Sequence, residues 1–384
     1  MKDPIRRRTF LKSSALSLLP FIAPLPELPS KEETSAEKKP VNFILAGEIL
    51  TVQQYADKLS EVCRMEAIEP DRYGEGGCVA ALQTHFEAAT GKEKAIFMPT
   101  GTMANQLALK VLSGQNIKVF VQENSHTYRD EADAAQTLHA RRLIPIAKDK
   151  PWFTVDDLKA AIDYHQEQES FPSPTGAVAV EIPTRRSDNT MMPFEEFKKI
   201  SQYCRENKIP LHLDGARIYL ASAWSGVPLR EYTDLADTVY ISLYKYLGAS
   251  SGAVLCGKKE VIGQMPHLIK MHGGSMYRNW TNAAMALHEV DGFMERLINA
   301  RKRGEELIKL LNSLPQIKIT NWPNATNIYS MELTGIDQKV FQKALSTQGI
   351  TVAQTVFSLN VSILHRDNNE LFSAFKNAVK TAAL

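Results

Sequence analysis

Short apolar runs alternate with amphipathic stretches of helical period through the middle of this chain, and that alternation leaves little choice of fold. Val119-Phe120-Val121-Gln122, Arg142 to Ile146 and Ala177 to Ile182 read as buried strands, as do the apolar runs Leu211 to Asp214 and Thr238 to Lys245. Thr51 to Ala67, Thr154 to Glu167 and Phe194 to Asn207 read as helices, the second opened by Thr154 ahead of Val155-Asp156-Asp157. Strands and helices in alternation build a parallel sheet covered on both faces. Ala283 to Leu314 reads as one or two long helices leading to a smaller C-terminal α/β unit, whose candidate strands are Thr326 to Leu333 and Asn360 to Leu364. A chain of 384 residues with 44% apolar side chains buries a core large enough for two or three domains. In such sheets ligands lie beyond the carboxyl ends of the strands.

Asp214 and Lys245 both stand at such ends. Taken singly they are ordinary: an Asp after a strand is often a helix N-cap, and a Lys there is often a solvated strand end. A third element upstream gives them a common purpose. Ala95-Ile96-Phe97-Met98 is a short apolar strand that turns through Pro99, Thr100 and Gly101 into an amphipathic helix. The free N–H groups and positive dipole end of that helix suit a phosphate. The Thr100 and Thr102 hydroxyls add donors, and Gly101 lets the backbone approach. A lysine to condense with an aldehyde, a carboxylate to keep a pyridine nitrogen protonated and a phosphate cradle are together what pyridoxal 5'-phosphate (PLP) requires.

Several separated segments resemble the threonine aldolases and related β-eliminating lyases of the fold-type I PLP-dependent enzymes. They are Tyr73-Gly74-Glu75, Met98 to Asn105, Ser125-His126-Thr127-Tyr128 with Glu131, His212 to Arg217, Ser242 to Lys245 and Lys270 to Gly274, in the family's order and spacing over roughly Arg72 to Gly292. The resemblance implies a fold-type I PLP-dependent transferase-like α/β fold: a large domain with a mostly parallel sheet between helices, and a smaller C-terminal α/β domain. It implies a lyase that cleaves the Cα–Cβ bond of β-hydroxy-α-amino acids such as threonine or allo-threonine, giving glycine and an aldehyde. By the same resemblance Lys245, His126 and Asp214 are catalytic, with Thr100, Gly101, Thr102, Met103 and Arg217 completing the cofactor site. His126 resembles the histidine that stacks on the cofactor ring and takes a proton from the substrate's β-hydroxyl; its bland alternative is a polar residue capping the next helix. Tyr73 and Lys270 are expected at the substrate, Lys270 reaching a neighbouring subunit's site, which implies a homodimer or homotetramer with shared active sites. His212 shares a strand face with Asp214, either supporting the site or serving as a structural histidine.

The chain departs from the family where the substrate carboxylate is held. The family's opening Arg-Ser-Asp-Thr is Leu45-Ala46-Gly47-Glu48, the arginine of a late strand falls near Leu359 or Asn360, and the arginine of the glycine-rich segment falls at Tyr277, one place before Arg278. The usual Glu-Asn-Thr-His becomes Glu181-Ile182-Pro183-Thr184-Arg185-Arg186, with two arginines in place of an Asn and a His. Arg217, with Arg185 or Arg186, is therefore expected to bind the substrate carboxylate, since a guanidinium fork fits it in two hydrogen bonds. A solvated loop is the alternative for the arginine pair.

The rest of the sequence narrows the class. A net charge of +2 without a long basic run gives no electrostatic footprint for nucleic acid, so a small-molecule substrate is expected, which the resemblance makes an amino acid. Cys63, Cys78, Cys204 and Cys256 have no metal-ligand spacing and read as apolar filler. Gly74-Glu75-Gly76-Gly77 lacks both the preceding strand and the third glycine of a dinucleotide site. Arg6-Arg7-Arg8-Thr9-Phe10-Leu11-Lys12 ahead of an apolar stretch, Ala15 to Leu25, resembles a twin-arginine export signal, implying transient contact with that translocase and a periplasmic location; a basic tail on a cytoplasmic enzyme is the alternative. The expected divisions are residues 1–40 as signal and linker, 41–70 as a helical arm, 71–300 as the PLP-binding domain and 301–384 as the small domain. Other PLP reactions (β-elimination, racemisation, transamination) and a PLP-binding periplasmic protein without turnover stand as alternatives.

Overall fold

The computed structural model describes residues 39–384 except 45, 46 and 49. The export-type segment lies outside the described residues. Twelve strands are described: β1 (Val41–Phe43), β2 (Lys94–Met98), β3 (Lys118–Gln122), β4 (Arg142–Ile146), β5 (Thr175–Glu181), β6 (Leu211–Asp214), β7 (Thr238–Ser242), β8 (Ala253–Gly257), β9 (Ile317–Thr320), β10 (Ile328–Leu333), β11 (Ile350–Val352) and β12 (Val356–Ser358). Seven of them form the central sheet in the order β2-β8-β7-β6-β5-β3-β4. Only β8 runs against the rest, pairing antiparallel with β7 and β2. The carboxyl ends of β2, β3, β5, β6 and β7 thus share one edge, and the registers set Glu181 beside Asp214 and Asp214 beside Tyr240.

Four helices matter for that edge: α1 (Val52–Met65), α2 (Gly77–Thr90), α3 (Gly101–Ser113) and the short α4 (His126–Arg129). Thr51 starts α1 through a capping box with Gln54, and Thr154 does the same with Asp157 for the helix Val155–Glu167, as the sequence pattern predicts. Helix α3 lies across the sheet. Its Ala104, Leu107 and Ala108 pack with Tyr240, Ala253 and Leu255, while Leu109 packs with Val119, Val121, Ala177 and Ala179. These are burials of about 1–3 kcal/mol per large side chain, and they aim the N-terminus of α3 at the strand ends.

Two local expectations are corrected. The run read as a strand through Lys245 leaves the sheet after Ser242: the Leu243 N–H bonds the Gly252 carbonyl at 3.1 Å and the chain turns back into β8, so Lys245 sits on a turn three residues past the strand. Asn360 to Leu364 is no strand but a 3-10 turn, Val361–His365, because the Asn360 side chain accepts the Ser362 N–H at 2.9 Å and caps it. The C-terminal strands are instead β12-β10-β9, antiparallel, with β11 pairing parallel to β1 from the start of the described chain. The stretch read as one or two long helices is two, Trp280–Val290 and Phe293–Leu311, separated at Gly292, whose φ of 61° a glycine adopts without strain.

Candidate active site

Three strand ends and one helix N-terminus meet here. Thr100 caps α3, its hydroxyl accepting the Met103 N–H at 3.1 Å, and the Gly101 and Thr102 N–H groups belong to the open first turn. A Cβ on Gly101 would lie 2.1 Å from the Tyr240 hydroxyl, so only glycine fits between β7 and this turn. A cavity of about 260 Å³ opens here, lined among others by Thr100, Gly101, Thr102, His126, Tyr244 and Ser250. Met103 itself faces Gly274, where a Cβ would come within 2.7 Å of its sulfur.

Behind that cavity lies a buried polar network with Asn105 at its centre. The Asn105 amide nitrogen donates to Asp214 Oδ2 and to Glu131 Oε1, both at 2.8 Å, and its oxygen accepts from His212 Nε2 at 3.0 Å. That assignment of the amide is the only one that gives both carboxylates a donor. Thr238 Oγ1 completes His212 at Nδ1, 2.8 Å away, and burial drives this imidazole's pKa down to about 4, so it is neutral. Asp214 Oδ1 also accepts the Ala216 N–H at 3.1 Å. His126, Glu131 and Asp214 offer ligand-type atoms within 4.8 Å of one another, but the two amide hydrogens of Asn105 point to the carboxylates where a cation would need to sit.

Glu131 turns to His126 as well. Its Oε1 lies 3.0 Å from Nδ1, which fixes the proton there and leaves Nε2 as the free acceptor. That hydrogen bond raises the His126 pKa, while burial raises that of Glu131. Lys245 is lowered, by burial first and by the nearby Arg217 guanidinium second. Its Nζ stands 5.8 Å from the ring centres of both Tyr240 and Tyr244. Tyr244 is half exposed, whereas Tyr246 is buried against Tyr219 and Phe293.

The remaining sequence candidates separate. The Arg217 guanidinium has no hydrogen-bond or ion-pair partner among the described residues. Arg186 is engaged: its Nε and Nη2 both contact the Asp130 carboxylate, at 2.5–3.1 Å. Arg185 touches the same carboxylate only at 3.4 Å, and it lies close enough to Lys245 to disfavour its charge. Tyr73 and Lys270 meet each other, ammonium to ring centre 5.5 Å, and line another cavity of about 670 Å³ that shares Pro99 with the first. Sequence reasoning passed over Glu181 and Asn105 as site residues. Glu181 is 3% exposed and ends β5 as Asp214 ends β6; Asn105 is a fully buried polar residue in the apolar stripe of α3, a signal that was available.

The family model for β-eliminating lyases matches residues 51–333. The chain belongs to that family. Over 227 residues it is 32% identical to the low-specificity L-threonine aldolase of Candida albicans, a match that spans 59% of this chain and only 60% of that protein. It is 31% identical over 248 residues to the low-specificity L-threonine aldolase of Escherichia coli K12, covering 64% of this chain and 73% of the relative. The alanine racemase TOXG of Cochliobolus carbonum is 32% identical over 222 residues, 56% of this chain and 55% of that one. Among solved structures, the threonine aldolase of Leishmania major superposes with a TM-score of 0.67 at 19% identity, covering 89% of this chain and 99% of that chain. A serine palmitoyltransferase from S. paucimobilis with bound PLP superposes with a TM-score of 0.63 at 14% identity, covering 89% and 88%. At these identities the structural likenesses establish the α/β fold that this β-eliminating lyase shares with them.

Proposed function

We propose that this β-eliminating lyase uses PLP to cleave the Cα–Cβ bond of β-hydroxy-α-amino acids such as threonine or allo-threonine, yielding glycine and an aldehyde. The observation that carries the reading is the pairing of a buried, doubly hydrogen-bonded Asp214 with a lysine of lowered pKa, set before the open N-terminus of α3. The donor set fits the cofactor: Lys245 supplies an amine more readily neutral than an ordinary lysine, Asp214 a buried acid for the pyridine nitrogen, and Thr100 to Met103 a helix turn kept bare at Gly101. PLP bound there supplies an electron sink for charge left on Cα. His126, with its Nδ1 proton held by Glu131, takes the proton of the β-hydroxyl at Nε2, as a general base must. Lys245 Nζ moves the proton at Cα. Arg217 holds the substrate carboxylate.

Relatives named as threonine aldolases support this substrate class, and the relative named as an alanine racemase keeps racemisation in view. The exposed pairing of Tyr73, Tyr277 and Lys270 beside its own cavity supports a homo-oligomer in which these side chains complete a neighbour's site. The arginine-led N-terminus supports export by the twin-arginine route to the periplasm. The PLP-loaded protein, offered a panel of amino acids, is expected to release acetaldehyde and glycine from threonine or allo-threonine. Accumulation of pyruvate, of a 2-oxo acid or of the opposite enantiomer without aldehyde overturns the lyase reading in favour of elimination, transamination or racemisation. An absorption change on threonine binding with no product at all points to a binding protein without turnover.

A further inference from the structure

Glu181 is a buried carboxylate that the chemistry above does not use. It closes β5 directly beside Asp214 and is 3% exposed. Its Oε2 accepts the backbone N–H of His126 at 2.8 Å and its Oε1 accepts the backbone N–H of Arg185 at 3.0 Å. Neither contact involves a side chain of the partner. One carboxylate therefore ties the helix turn that carries His126 to the 3-10 turn (Arg185–Ser187) that carries Arg185.

The rest of the group is immobilised too. Gln122, at the end of β3, accepts the Glu181 N–H through Oε1 and donates to the Glu181 carbonyl at 3.1 Å through Nε2. The same amide nitrogen reaches Thr184 Oγ1 at 3.2 Å, so the strand end and the loop beyond it are held from the side opposite the carboxylate. A carboxylate buried without a direct cation partner is costly. An amide of the same shape cannot replace it, because two N–H donors converge on the two oxygens and a carboxamide offers only one acceptor.

We propose that Glu181 is a positioning residue that sets the base of the site and a second arginine together, holding His126 and Arg185 in register through their backbones; this rests on the role assigned to His126 above and on Arg185 assisting Arg217 at the substrate carboxylate. The charged surroundings of Glu181 make the clamp sensitive to protons. Asp214 on β6 opposes its ionisation, as does burial. Arg217, at the start of the helix after β6, favours it, and so does Lys245 on the turn after β7. The Arg186 guanidinium also favours its ionisation, and the His126 ring on α4, its partner Glu131 and the Arg185–Asp130 pair are further charged or titratable groups around it among the described residues. Burial is the largest influence and Asp214 the second, so the carboxyl titrates above the ordinary carboxylate range. The ionised, fully accepting form is the one present above that raised pKa, and the clamp slackens as pH falls through it.

The test uses the full chain, selectively ¹⁵N-labelled at His and Arg without PLP, and reads the backbone amide signals of His126 and Arg185 as pH is varied. In the wild type the two signals are expected to move with one shared midpoint, above the ordinary carboxylate range. In Glu181→Gln one of the two is expected to shift away from its hydrogen-bonded position and the shared midpoint to disappear, leaving the His126 amide to follow only its own ring. With PLP bound, Glu181→Gln is expected to lower kcat/KM for threonine about a hundredfold, the scale of a reacting group displaced by about 1 Å, and to remove the acid limb of its pH profile. Two amide signals that titrate with different midpoints in the wild type, or that do not titrate, overturn the proposal, and this holds even if the variant fails to fold. An intact acid limb in a folded Glu181→Gln protein overturns it as well. Shared titration in a protein that releases no aldehyde supports the clamp and removes the reaction reading instead.

Discussion

Asn105 and Asp214 share a 2.8 Å hydrogen bond through an amide nitrogen that gives its second hydrogen to Glu131, equally at 2.8 Å. One side chain on α3 thus satisfies the acid proposed to face the cofactor and the acid that orients His126, while its oxygen holds neutral His212. Asn105→Ala leaves two buried carboxylates short of a donor and a buried imidazole N–H without an acceptor. Each orphaned group costs about 1–3 kcal/mol. The variant is expected to melt several degrees lower and to lose PLP far faster on dilution, measured by thermal unfolding and by visible absorption after gel filtration. Unchanged melting and cofactor retention would show that the network carries no energy.

Lys245 makes the covalent attachment in this reading, and it lies close enough to Asp214 for the carboxylate to favour its charge. Lys245→Ala is expected to abolish any borohydride-reducible linkage between protein and PLP. Asp214→Ala is expected to keep the linkage but to bind PLP more weakly and to lose turnover, because an unprotonated pyridine is a poor sink. A reducible linkage persisting in Lys245→Ala, or normal turnover in Asp214→Ala, refutes the respective assignment.

Strand ends were legible in the sequence because apolar runs closing on a single polar residue carry a clear signal, and Asp214 and the α3 turn fall where that signal puts them. Lys245 was legible as a residue but not as a conformation: Leu243 is as apolar as the strand before it, and what ends β7 at Ser242 is the turn back into antiparallel β8, a pairing that a run of apolar residues does not encode. Asn360 was misread for a related reason. Val361, Ser362 and Ile363 look like a strand, yet one side-chain cap outweighs their β-propensity. The links among Asn105, Glu131, Asp214 and Glu181 were not legible, since they join residues far apart in the chain through a sheet register that composition does not encode.

The structure also sorts the arginines that the sequence left open. Arg186 spends its fork on Asp130 near the surface, whereas Arg217 is uncommitted and Arg185 has one long contact. Losing a charge-assisted contact to the substrate carboxylate costs about 1.5–3 kcal/mol, roughly ten- to a hundredfold in affinity. Arg217→Ala is expected to raise KM by that factor with the bound PLP spectrum unchanged, Arg185→Ala to raise it less, and Arg186→Ala to leave it near the wild type. If Arg186→Ala has the largest effect, the Asp130 pair does not persist when substrate binds.

For the N-terminus, whose described part begins only at residue 39, replacing Arg7 and Arg8 by Lys is expected to leave folded, PLP-loaded protein in the cytoplasm. Undiminished periplasmic recovery of that variant means the segment is no twin-arginine signal.

The last prediction concerns His365, which closes the N-terminal segment onto the 3-10 turn. Its Nδ1 lies 2.9 Å from the Pro40 carbonyl and its Nε2 lies 2.9 Å from Glu48 Oε1. Both partners accept only, so both ring nitrogens must donate and the ring is an imidazolium. Arg366 adds a bond from Nε to the Lys39 carbonyl at 2.9 Å, and Glu48 also faces Lys58. The pinned segment continues into Gly47, where a Cβ would lie 2.6 Å from the Lys245 carbonyl oxygen, so the latch braces the turn that carries the lysine. The Glu48 hydrogen bond raises the His365 pKa above its ordinary 6.5, and the same bond lowers that of Glu48 below its ordinary 4.5. A raised histidine stabilises fully below 6.5 and loses that contribution as pH rises through its folded pKa; a lowered glutamate stabilises above 4.5 and loses it as pH falls through its own. The pair therefore contributes most between those two values. Because both groups are partly exposed, the contribution is on the order of 1 kcal/mol. The melting temperature of His365→Ala should fall below the wild type by the largest margin near pH 5.5, midway between those values, and the margin should shrink steadily on the alkaline side. A margin that is constant from pH 5 to pH 9, or that grows toward alkaline pH, would mean the ring is neutral in the folded protein and the latch works by packing alone.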